Sequence, residues 1–423
     1  MNGKKVFFMT ALFCVAAAFL AGCRSWEKNA NPSGVKEVPG IKKTSEVKKL
    51  AKAGDIFLPE KIYAVPGIEC NIYFKNIFFA INHANYVFDV DCPKGKQEEK
   101  RWTYIPWRNE VDKSYPLTVR VYDEKGLVAE ASTTIYVTSA DAGKGKNLSI
   151  LVVGDSLTNA TEYPRQLLTL CNKEKAPLLK MVGSHAGGGK KPVANGVAHE
   201  GYGGWTWGTF RTQYVTDPKH RNYNTYRAKS KFIFEKNGKR VFSLTDYVKK
   251  YNNGKMPDVI TFQLGVNDIF GATDKTLDAR IKTTLANADA LIALLRKEAP
   301  NAVIGVGFVT SGANQDAFGN NYKSNQTSFG YYRNHFRLNQ AMAKHFASRI
   351  NDKFVMIPSN VNLDTENNFP IAKTRINTQN LTRIIRQNNG VHPDKNGYRQ
   401  MGDSYFAWLK YLLAKGALAD AKK

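Results

Sequence analysis

Acid is scarce in this chain. Only 36 Asp and Glu stand against 61 Lys and Arg, so 423 residues carry a formal charge of +25. A balance that basic points to polyanions: nucleic acid, an anionic membrane surface or an acidic polysaccharide. The lysines are spread along the whole chain and no nucleic-acid-binding module is recognisable, so nucleic acid is not read as a partner. Histidine is sparse too, with seven residues and no ligand-like spacing, and cysteine sparser, with five. Cys14 and Cys23 lie near the start, which leaves Cys70, Cys92 and Cys171, too scattered for a metal site. No cofactor is expected. Beyond the first residues no apolar run is long enough to cross a bilayer.

What is present is strongly ordered along the chain. "MNGKK" followed by "VFFMTALFCVAAAFL" has the positive and apolar parts of an export signal, and "LAGC" resembles a bacterial lipobox. Residues 1–23 are therefore expected to be a lipoprotein signal, with Cys23 the lipidated residue and the protein exported to the cell envelope on a lipid anchor. Residues 24–54 are polar and lysine-rich, as a flexible linker would be. From 55 to 140 the chain is strand-like: "NIYFKNIFFAI" and "NYVFDVDC" are β-branched and aromatic, and Tyr115–Val137 alternates around "DEKG" like a hairpin. This is expected to be a small all-β sandwich, resembling the immunoglobulin-like modules of secreted enzymes. Cys70 and Cys92 both fall in it and are candidates for a disulfide in an oxidising compartment.

After the "DAGKGKN" boundary the rhythm changes. "LSILVVGDS", "PDVITFQLGVND" and "AVIGVGFV" are continuously apolar, and helical patterns such as "TLDARIKTTLANADALIALLRKEAP" alternate with them. That alternation predicts an α/β domain over 147–418: a flavodoxin-like parallel sheet with helices on both faces and ligands at the carboxyl ends of the strands. Between its blocks, "KFIFEKNGKRVFSL" reads as a hairpin turning at "KNG", whose basic face is either solvated or in contact with an acidic glycan.

Four short blocks carry the chemistry. "GDSL" holds Ser156 at a strand end, "GYGGWT" holds Gly203 and Gly204, "LGVND" holds Asn267, and "GVHP" holds His392. Each alone reads as a turn, a cap or a loop residue. Together they supply a nucleophile, a base and oxyanion donors, which is what acyl transfer requires.

In this order on one α/β scaffold, the set resembles the GDSL or SGNH hydrolase superfamily, over roughly Asn147 to Leu413. The resemblance implies that Ser156 is the nucleophile. It makes the Ser156 N–H, the Gly204 N–H and the Asn267 amide the oxyanion hole, and His392 the general base and acid. Gly204 is expected to be glycine so that its backbone can come close. Asp155 and Asp268 are read as residues that orient loops. The family has an Asp three residues before the His, and here that residue is Asn389. Three readings follow: Asn389 orients His392, a backbone carbonyl does so in a Ser-His dyad, or the domain is weakened. Asp394, two residues after the histidine, has the wrong offset for the acid.

The superfamily holds lipases, thioesterases and carbohydrate esterases. An anchored chain with a β module points to an acylated polysaccharide, an acidic glycan being one candidate, with release of O-acetyl or another small acyl group. Trp205, Trp207, Tyr322 and Phe318 are candidates for stacking on sugars. A lipid or aryl esterase or a thioesterase is the enzymatic alternative, and a non-catalytic glycan-binding lipoprotein the alternative of another class.

Overall fold

A computed structural model describes residues 54–320, 326–349 and 352–418. The described residues all fall within one compact unit, Leu50–Lys423. Residues 1–49, on which the expected signal and Cys23 fall, lie outside the described residues, as does Tyr322.

Apolar strands in the second half of the chain build one parallel sheet. Its spatial order is Leu178–Val182, Asn147–Gly154, Val259–Gln263, Val303–Gly307, Phe354–Ile357. All four of these pairings are parallel. A two-residue strand, Glu200–Gly201, adds to the end of the second, pairing Gly154 with Gly201. Every residue of Val259–Gln263 and of Val303–Gly307 is buried, so the sheet is covered on both faces, as its continuous hydrophobicity requires. The helices Glu162–Glu174 and Lys395–Ala414 pack at Gly402, where a Cβ would stand 2.5 Å from Gln166 Cβ. This is the flavodoxin-like order, and it gathers the strand ends bearing Ser156 and Asn267 along one edge.

The strand-rich segment forms a four-stranded and a three-stranded sheet. Inward residues Ile62, Ile72, Trp102, Leu117, Val119, Val121 and Ile135 make their shared core. The hairpin of Ser114–Asp123 and Gly126–Val137 turns where Gly126 takes φ 121°. This part is joined closely to the α/β part. Val361 belongs to the module's core, while Phe57, Tyr63, Val65 and Phe79 belong to the core of the parallel sheet. Buried polar contacts cross the join: Asn76 Nδ2 donates to Leu363 O at 2.8 Å, Tyr73 N to Val361 O at 3.0 Å, and the Tyr332 hydroxyl to Phe78 O.

The candidate disulfide is corrected by the structure, in which Cys70 and Cys92 are free cysteines. Cys70 is buried in a strand paired with Tyr104. Burial, with Glu69 and Cys92 nearby, pushes its thiol up to about 12. The "KNG" hairpin is formed by Ile233–Lys236 and Lys239–Phe242, with Asn237 and Gly238 at φ 50° and 70°.

Candidate active site

Ser156 opens a short helix, Ser156–Asn159, directly after the strand Asn147–Gly154. Asp155 caps that helix, its Oδ1 accepting from Leu157 N at 2.9 Å. Glycine is required at 154 by space: a Cβ there would lie 1.9 Å from Thr158 Oγ1 and 2.9 Å from Gln263 O. The strand-to-helix turn can thus close only over a residue without a side chain.

His392 arrives from the far end of the chain. Its Nε2 lies 2.7 Å from Ser156 Oγ, a hydrogen bond across 236 residues of sequence. Desolvation lowers the imidazole to about 4, so the ring is neutral and able to accept a proton at neutral pH. Asn389 is bound to the main chain of the histidine loop. Its Oδ1 accepts from Val391 N at 3.1 Å and His392 N at 2.9 Å, which folds the backbone of the histidine loop. The amide oxygen therefore fixes the main chain on which the imidazole is mounted. Asp394 is engaged elsewhere: it caps Lys395–Ala414, accepting from Asn396 N and Gly397 N.

The oxyanion loop follows Glu200–Gly201. Tyr202 N donates to Gly154 O at 2.9 Å, which pins the loop to the nucleophile strand. A Cβ on Gly203 would stand 4.0 Å from Ser156 Cβ, so this glycine borders the nucleophile. Gly204 corrects the expectation of close approach: a Cβ there meets nothing within 4 Å, but its φ is +82°. The residue is needed for its backbone conformation. Asn267, in Val266–Ile269, donates from Nδ2 to Trp205 O at 3.0 Å. That bond ties the third donor to the glycine loop and leaves the amide's second hydrogen for an oxyanion.

The proposed stacking rings are also corrected. Trp205 is 3% exposed and Trp207 1%. Trp205 stacks on Tyr202 at 3.9 Å between centroids, and Trp207 packs on Phe262 at 4.9 Å. Phe318 is buried as well. Trp205 and Trp207 pack inward beneath the loop, Phe318 packs on Tyr331, and none of the three can lie flat on a sugar.

Near the site, His185 and His199 stand on loops as their sequence positions imply, while Arg227 and Glu200 were not singled out by sequence. Arg227 donates from Nη1 to Gly203 O at 3.0 Å. Glu200, fully buried, receives the Tyr202 hydroxyl, Tyr247 Oη at 2.7 Å and Ser184 N at 2.6 Å. His185 Nε2 meets Gly201 O at 2.8 Å, while His199 Nδ1 accepts from Gly201 N at 3.1 Å and its Nε2 meets Thr161 Oγ1 at 3.0 Å. This network backs the oxyanion loop. The sequence signal for Glu200 was an acid immediately before "GYGG". Burial raises Asp155 and Asp268 to about 7 each, the charge of Asp268 adding to the rise at Asp155. Among the described residues no cluster of side chains could hold a metal ion.

The family profile described as GDSL-like Lipase/Acylhydrolase matches residues 150–404. No curated protein matches the chain. Among solved structures, the chain is similar to a family 3 carbohydrate esterase of Clostridium thermocellum, at 16% identity and TM-score 0.37, covering 64% of this chain and 100% of that one. A carbohydrate acetylesterase family member from Sinorhizobium meliloti matches at 14% identity and TM-score 0.35, over 63% and 99% of the two chains. Phospholipase A1 from Streptomyces albidoflavus NA297 matches at 11% and 0.33, over 62% and 98%. Their names give different substrates, and none assigns one to this chain.

Proposed function

Because the chain belongs to the GDSL-like lipase and acylhydrolase family and is an ester hydrolase, we propose that it removes O-acetyl or other small acyl groups from polysaccharide through an acyl-enzyme. The observation that carries this reading is the 2.7 Å contact of His392 Nε2 with Ser156 Oγ beside the glycine loop.

Ser156 Oγ attacks the ester carbonyl as His392 Nε2 takes its proton. The carbonyl oxygen becomes an oxyanion facing the Ser156 and Gly204 N–H groups and the Asn267 amide. Collapse breaks the bond to the sugar oxygen, and His392 returns its proton to that leaving hydroxyl. Water then attacks the acyl-enzyme, passes a proton to His392, and releases acetate as Ser156 Oγ regains its hydrogen. Gly203 borders the nucleophile, and Arg227 and Asn267 are bonded to the carbonyls of the same glycine loop, a polar setting that suits a small acyl group on a hydroxylated substrate. The cell-envelope location and the lipid anchor at Cys23 belong to the same proposal and rest on the N-terminal pattern alone.

Acetate release from acetylated xylan and pectin, set beside cleavage of long-chain esters, tests it. Release that disappears in Ser156→Ala is expected. Cleavage of long-chain esters with no acetate from any acetylated polysaccharide would overturn it in favour of a lipid esterase.

A further inference from the structure

Just ahead of His392 the chain makes a ribbon that the esterase chemistry does not use. Ile371–Arg375 and Arg383–Gln387 pair with each other as a separate two-stranded antiparallel sheet. The register sets Ile371, Lys373 and Arg375 opposite Gln387, Ile385 and Arg383, so these residues share one face. Ala372, Thr374, Ile384 and Arg386 share the other.

The second face is turned to the body of the protein. Arg386 Nε reaches Asp316 at 3.4 Å, and Arg386 Nη1 donates to Thr374 Oγ1 at 3.1 Å. The root of the ribbon is pinned by Gln387, whose Nε2 donates to Thr365 O and Glu366 O at 2.8 Å each. Its Oε1 accepts from Asn314 N at 3.0 Å.

The first face is open. Lys373, Arg375 and Arg383 are exposed on it, and the isoleucines at 371 and 385 are 60% and 62% exposed. The connecting turn adds Leu381, 58% exposed. Between Glu366 and Asp394 the chain holds four cations and no acid. Cations would repel a like surface and attract an anionic one. Sugar recognition asks for flat rings, and this face has none. A polyanionic glycan would leave the aliphatic side chains in water. An anionic bilayer takes both kinds: headgroup charge meets the cations while the isoleucines enter the acyl boundary.

We propose that the Ile371–Gln387 hairpin docks this protein on an anionic lipid surface through Ile371, Lys373, Arg375, Leu381, Arg383 and Ile385. The hairpin runs directly into Asn388–His392, so docking holds the catalytic loop close to that surface. This holds whichever ester Ser156 cleaves.

Partitioning of the full chain onto phosphatidylcholine vesicles with and without phosphatidylglycerol tests it, at low and high salt. The variants are Lys373→Glu/Arg375→Glu/Arg383→Glu and Ile371→Ser/Ile385→Ser, with unfolding midpoints measured to confirm folding. Should the triple variant fold poorly, Arg375→Glu and Ile385→Ser serve singly. Any binding by the N-terminal apolar segment is common to all chains and cancels. At about fivefold per cation, the triple reversal lowers partitioning onto anionic vesicles about a hundredfold or more, and salt reproduces much of that loss. The serine pair lowers it about tenfold at either salt. Equal vesicle binding by folded variants and the parent chain overturns the proposal. So does a difference seen on polygalacturonate columns but not on vesicles, which would assign the face to an acidic glycan.

Discussion

A histidine held near 4 behaves differently from one at its ordinary value. His392 loses its base function only when protonated, so the acid limb of kcat/KM is expected near pH 4 rather than near 6.5. Asn389→Asp places a carboxylate beside the imidazole, favours the imidazolium, and should move that limb to higher pH. Asn389→Ala loses the two bonds to Val391 N and His392 N and should lower kcat about 10- to 100-fold through the displaced loop. Full activity of the alanine variant would remove any positioning role from Asn389. The sequence made the amide visible but not its target. Whether Oδ1 meets a ring nitrogen or two main-chain amides depends on how the turn from Asn389 to Pro393 closes.

At the scale of elements, the site depends on two turns at the ends of parallel strands. Gly204→Ala meets no atom within 4 Å but must hold φ near +82°, at about 1–2 kcal/mol. Such a variant should fold while its kcat drops by about 10²–10³, because the strained turn relaxes and moves an oxyanion donor. Gly154→Ala is the opposite case, a clash with Thr158 and Gln263, and should destabilise the fold itself by about 1–3 kcal/mol. Chemical denaturation beside single-turnover kinetics separates the two.

Asp155 gives a third test. Its carboxyl is held at about 7 in the folded chain against 3.8 when exposed, so the folded state binds more protons between those values. That contribution is complete below pH 4 and is lost as pH rises through 7. Asn at 155 has no proton to lose, so Asp155→Asn should gain roughly 4 kcal/mol over the parent between pH 4 and 8. A stability difference that stays flat with pH would contradict the buried carboxyl. The four blocks were legible because each is a short local signal, two of them at the ends of apolar strands and His392 just ahead of the last helix. The burial of Trp205 and Trp207 was not, since it is decided by Tyr202 and Phe262 packing across the turn and the sheet.

For the molecule as a whole, the strand-rich part and the α/β part share side chains across their join. Phe57 meets Phe308 at 5.1 Å between ring centroids, and Phe79 meets Tyr332 at 5.3 Å. Residues 50–423 should therefore unfold in one transition, with calorimetric and van't Hoff enthalpies in agreement; two separated transitions would contradict the shared core. Alternating and continuous apolar runs revealed two kinds of sheet in the sequence. The join could not be read there, because it is made by residues such as Val361 and Asn76 whose partners lie hundreds of positions away.

The most direct test of the account is where a fluorophosphonate probe attaches. A single covalent adduct on Ser156, mapped by mass spectrometry and abolished in both Ser156→Ala and His392→Ala, is the expected result. An adduct on another residue, or equal labelling of Ser156→Ala, would contradict a nucleophile activated by His392.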